Sequence, residues 1–135
     1  MTQITQVDAL QALLSANLEI ETDVFVKRLG ASFRIKAVDT STLEKAREQA
    51  IQTSGSGSKR ASTVNAERLN AILVAKFCVT PNFGDAALLA KYGVTNAVEC
   101  VGKALLPGEI VRIVAAGMDL SGYGEDGDEI NEIKN

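Results

Sequence analysis

The chain has 135 residues, 46% of them hydrophobic and 23% charged, with a formal net charge of −3 at pH 7. That size and balance suit one soluble globular domain with a modest core. It contains no histidine, which excludes a Ser-His-Asp or Cys-His nucleophile, imidazole acid–base chemistry and a zinc site built on histidine.

Aromatic residues are sparse, at 4%, and tryptophan is absent. With a net negative charge, this argues against nucleic acid as a partner, which would need stacking platforms and a cationic groove. The N-terminal stretch MTQITQVDALQALLSAN lacks the basic region and continuous apolar core of a signal peptide. No apolar run approaches the roughly twenty residues of a membrane helix. The chain therefore reads as soluble and intracellular, with no membrane partner.

Asp8 to Ala16 carries Ala9, Leu10, Leu13 and Leu14 at helical spacing, a short amphipathic helix with Asp8 as cap and Asn17 at its end. The period then changes. Leu18, Ile20, Val24 and Val26 alternate with charged neighbours, and Phe33, Ile35 and Ala37 do so again beyond Gly30. Period two on both sides of a glycine predicts a β-hairpin with one buried face.

Ser41 stands three residues before Glu44, a capping-box spacing that starts a helix running to about Thr53. The segment TSGSGSKRAST, residues 53–63, follows. It fails the phosphate-loop pattern, since Lys59 is followed by Arg60 and the preceding element reads as a helix. Its Gly/Ser content predicts a flexible linker with a basic tip at Lys59 and Arg60.

Asn65 caps the next predicted helix, AERLNAILVAKFCV, which is apolar nearly all round from Ala71 to Val79. Such a helix belongs in the centre of a fold, and Pro81 ends it. Cys78 and Cys100 both fall in apolar segments read as helical; they suit small buried hydrophobes in a reducing compartment better than a disulfide or a reactive site. Two short helices follow, one stopped by Gly93 and one capped by Thr95. The stretch KALLPGEIVRIV, Lys103 to Val114, places proline beside glycine inside an apolar run. Proline is tolerated at the first position of a helix, where its missing N–H is not needed. One helix therefore ends near Leu105 and another starts at Pro107, with Glu109 facing the positive end of its dipole and Met118 near its end.

From Asp119 to Asn135 there are six acidic residues against Lys134 alone. The spacing does not make a calcium loop, and the segment reads as an acidic, flexible tail. The expected organisation is α+β and mostly helical: five or six helices with an N-terminal β-hairpin. Residues 1–120 form one domain with a flexible loop near 53–63, and residues 121–135 form the tail.

The segment VTPNFGDAALLAKYGVTNAVECVGKALLPGEI resembles the XkdN-like tail assembly chaperones of long-tailed bacteriophages and prophages. In that family a β-hairpin and a capped helix precede an apolar helix, a proline-containing loop, a YGV step and a leucine-rich helix ending in LLPGE. Here these are Pro81, Tyr92-Gly93-Val94 and Leu105-Leu106-Pro107-Gly108-Glu109, within a similarity of about ninety residues from Val24 to Val114.

The resemblance implies a non-enzymatic protein in the bacterial host cytoplasm, absent from the mature virion. It would bind the tape measure protein, and in some settings the tail tube protein, during virion assembly. Self-association would let many copies coat one long chain. A small tail or connector protein retained in the virion is the alternative. Gly93 and Gly108 are expected to permit backbone turns, and Tyr92 to be a core or corner residue. No catalytic, cofactor, metal or partner-binding residue is identified from the sequence.

Overall fold

A computed structural model describes residues 8–16 and 19–123. In chain order the elements are α1 (Ala9–Ser15), β1 (Glu21–Val26), β2 (Ala31–Lys36), α2 (Thr40–Gln49), β3 (Ile51–Ser54), β4 (Ala61–Val64), α3 (Ala66–Phe77), β5 (Cys78–Thr80), α4 (Ala86–Tyr92), α5 (Ala97–Ala104) and α6 (Pro107–Leu120). The α+β class, the helical majority and the N-terminal hairpin agree with the sequence reading.

Strands β1 and β2 pair antiparallel, from Glu21 opposite Lys36 to Val26 opposite Ala31. A short 3-10 turn over Lys27–Leu29 joins them and closes at Gly30, whose φ of 63° is left-handed. Glycine takes that conformation without the Cβ penalty other residues carry. Alternation puts Val26, Phe33 and Ile35 into the core, whereas Phe25 points out and is exposed. Leu18 lies outside the described residues.

Helix α3 occupies the centre, as its apolar sequence requires. Asn65 caps it, its side chain accepting from the Arg68 N–H at 3.0 Å. Ala71, Ile72, Leu73, Val74 and Phe77 are buried, and α2, α5 and α6 all pack on this helix. One cluster of apolar side chains runs from the sheet through α3 to Val101, Leu105 and Ile113.

Several expectations are corrected. Helix α3 stops at Phe77 rather than running on to Val79. Cys78 to Thr80 form β5, which pairs antiparallel with β2 and completes a sheet of order β1-β2-β5. The β-branched Val79 and Thr80 suit a strand, and pairing with β2 outweighs continuation of the helix. Cys78 is thus a strand residue, while Cys100 is helical; both thiols are free.

Helix α2 is capped by Asp39 instead of Ser41, the Asp39 carboxylate accepting from the Thr42 N–H at 2.9 Å. It ends at Gln49, not Thr53. Residues 51–64, expected in part as an unpaired linker, form a second antiparallel hairpin of β3 and β4. Its Gly/Ser centre makes the tip, with Gly55 at φ 80° and Gly57 at φ 59°. Asn96, not Thr95, caps α5, accepting from the Glu99 N–H at 2.9 Å. Asp8 gives α1 no side-chain cap. Tyr123 is the last described residue, so most of the predicted acidic tail lies outside the described residues.

Candidate functional site

The described residues form an open groove of about 1060 Å³. It is built by the entry to β1, the end of β2 with its connection into α2, α2 itself, the end of α3 with β5, and the end of α6 with the residues that follow it. Ile20, Val79 and Tyr123 are large apolar residues left exposed within it. Val38, Leu43 and Leu120 add to its apolar lining. The charged lining is mixed in sign, with Glu19, Glu21 and Asp39 among Lys36, Lys45 and Lys76.

Backbone and side-chain bonds hold these walls in place. The Ala37 N–H donates to the Ile20 carbonyl at 2.8 Å, fixing the β1 entry against the β2 exit. Ser121 ties the end of α6 to the same place. Its hydroxyl accepts from the Val38 N–H at 3.0 Å and donates to the Gly117 carbonyl at 2.8 Å. Asp39 titrates below its ordinary range because the Thr42 backbone N–H, and then the Thr42 hydroxyl, favour its charged form.

Chemically, the groove offers apolar contact with a charged border. Among the described residues there is no cluster of three or more Cys, Asp or Glu side chains suited to a metal ion. Burial pushes the Cys78 thiol up to about 12 and raises that of Cys100 as well, so neither is poised as a thiolate nucleophile.

The helix corner lies apart from the groove, and its logic is structural. Pro107 occupies the first turn of α6, and Glu109 is buried at 3% exposure. The Glu109 carboxylate accepts from Arg28 Nε and Nη2, both at 2.8 Å, and from the Leu106 N–H at 2.8 Å. Arg28 Nη2 also donates to the Ala104 carbonyl at 3.1 Å. Hydrogen bonds from Arg28, followed by that from Leu106, hold the Glu109 carboxyl down at about 2 against the opposing effect of burial. The pair fastens the turn of the first hairpin to the junction of α5 and α6. Arg28 was missed in the sequence because it lies eighty-one positions from Glu109 and no local pattern joins them.

Other residues carrying the resemblance are also structural. Gly93 ends α4 in the left-handed region at φ 66°. Tyr92 is half-buried against the core, with the Lys91 ammonium 5.7 Å from its ring centroid. Gly108 departs from expectation: its φ is not positive, and an added Cβ would meet nothing within 4 Å.

The scaffold is α+β, with an open groove of mixed apolar and charged lining. The family model described as phage XkdN-like tail assembly chaperone protein matches residues 10–134, and the chain belongs to that family. A crystal structure described as the protein yqbn matches with a TM-score of 0.63 at 19% identity, covering 88% of this chain and 100% of that one. At that identity the likeness concerns the fold. No curated protein sequence matches the chain.

Proposed function

We propose that the protein is a non-enzymatic chaperone that holds the tape measure protein during tail assembly, with the apolar groove as its binding surface. The observation that carries this reading is the groove itself, where Ile20, Val79 and Tyr123, exposed and drawn from three separated stretches, line one concavity. A long helical polypeptide displays apolar stripes that aggregate when uncovered. A groove with an apolar floor and charges of both signs fits one face of such a helix, the apolar side chains entering and the polar ones meeting the border. The groove's size and open side suit a helix better than an enclosed small ligand. Family membership supports the assembly role. Among the described residues no helix is long and apolar enough to cross a membrane, which accords with action in the host cytoplasm.

Coexpression with the tape measure protein of the same phage tests the proposal. The native chain should keep that protein soluble and bind it with a negative heat-capacity change, the mark of apolar burial. Val79→Glu places a charge on the floor at an exposed position, so it should abolish solubilisation while leaving the thermal midpoint nearly unchanged. Binding unaffected by Val79→Glu would move the site elsewhere. Abundant, stoichiometric copies in purified tails, detected by mass spectrometry, would instead identify a component retained in the virion.

A further inference from the structure

The last segment of the chain starts from the wall of the groove. Helix α6 ends in a turn at Gly122, whose φ of 103° is left-handed. There the Tyr123 N–H donates to the Met118 carbonyl at 3.0 Å, and the Gly122 N–H to the Asp119 carbonyl at 3.1 Å. This pair of bonds closes a helix end and turns the chain off the helix axis. Tyr123 thereby lines the groove, and residues 124–135 begin beside it.

Their sequence, GEDGDEINEIKN, divides in two. Glu125, Asp126, Asp128 and Glu129 come first, a run of carboxylates. Ile130 and Ile133 follow, at the i, i+3 spacing of one helix face. The groove complements both halves. Ile20 and Val79 are exposed apolar residues in its lining. Its carboxylates are engaged, Glu21 by Arg34 at 2.9 Å and Asp39 by the Thr42 N–H at 2.9 Å. Lys36 and Lys76 line it too, and neither has an ion pair among the described residues. The groove charge left unpaired is therefore positive, and the segment that leaves from Tyr123 is negative. Ile130 lies seven positions beyond Tyr123, a reach of up to roughly 24 Å, so the groove is accessible to it. A tethered segment also acts at an effective concentration in the millimolar range, so even a weak contact is populated.

We propose that residues 124–135 fold back into the groove of their own chain, the acidic run meeting Lys36 and Lys76 and the two isoleucines covering Ile20 and Val79. The segment is then an internal competitor, which shields the apolar surface until a longer helix displaces it. That consequence rests on the groove being the partner site; the docking itself does not.

Paramagnetic labelling of the full chain tests the docking without any partner. A nitroxide on Asn135→Cys, attached while Cys78 and Cys100 are held in or against the core, should broaden the amide NMR signals of Ile20 and Val79 equally at all concentrations. The same label on a chain carrying Ile130→Ser and Ile133→Ser should lose most of that broadening. So should Lys36→Gln with Lys76→Gln, since both lysines are exposed and their loss leaves the core intact. Undiminished broadening in either variant would reduce the effect to the nearness of the tether and overturn the proposal. Broadening that fades on dilution would put the segment on another copy and overturn it as well. Competition is read with the tape measure protein. A groove four-fifths covered gains about fivefold in affinity when its cover is lost, so the Ile130→Ser, Ile133→Ser chain should bind that partner more tightly by about this factor. Docking seen by NMR with no change in that affinity would uphold the docking and remove the groove as the partner site, so the two readings fail separately.

Discussion

At the residue scale, two glycines of α6 exchange the roles their sequence contexts suggest. Gly108 sits at the conspicuous Pro-Gly corner, yet a Cβ there would enter open space. Gly117 stands in an ordinary helical run, and a Cβ on it would collide with the Phe77 ring. That ring is fully buried, so it cannot swing into solvent to make room. Gly117→Ala is therefore expected to destabilise the fold by about 1–3 kcal/mol, the usual cost of overpacking a close-packed core. Gly108→Ala should be neutral or stabilise by roughly 0.5 kcal/mol through helix propensity. Urea unfolding of the two variants beside the native chain checks the contrast, and equal midpoints would refute it.

Between elements, the Arg28–Glu109 pair is the clearest long-range fastening. It joins the first hairpin to the α5–α6 corner, and Glu109 remains charged because its carboxylate oxygens accept three hydrogen bonds. The folded carboxyl is lowered from its ordinary 4.5 to about 2. As pH falls between those values, the unfolded chain takes up the proton before the folded chain does. The stabilisation is therefore complete above about 4.5 and is lost as pH approaches about 2. Urea midpoints measured from pH 6 down to pH 2.5 should fall through this window in the native chain. Glu109→Gln should start lower at pH 6 and show a shallower decline. An identical pH profile in the variant would mean that other carboxylates govern acid stability.

For the whole molecule, continuity of the core makes the two cysteines reporters of unfolding. Cys100 is fully buried and Cys78 half-buried, both within or against the same apolar cluster. Burial pushes the Cys78 thiol up to about 12, so far less of it is ionised at pH 8 than of an ordinary thiol. Alkylation of the native protein at pH 8 should be slow at both positions. In a urea series, labelling should appear together with the loss of helical circular dichroism. Labelling of Cys78 well before that transition would show that β5 opens from the sheet by itself.

Local chemistry made much of this protein legible. Alternation around Gly30 specified the first hairpin, Asn65 the start of α3, and Pro107 with Glu109 the start of α6, because periodicity and capping act within a few residues. The ordered motifs from Pro81 to Glu109 carried the family resemblance for the same reason. Features decided by distant partners remained hidden. Cys78 to Thr80 become a strand only because β2 presents an edge to them, and Arg28 has a role only because folding brings Glu109 within hydrogen-bonding reach. The Gly/Ser segment looked like a tether by composition, but the turn it makes lets Ile51–Ser54 find Ala61–Val64. The groove has no motif at all. It comes from separated stretches whose exposed apolar residues, Ile20, Val79 and Tyr123, acquire a common surface only when the sheet, α2 and α6 converge.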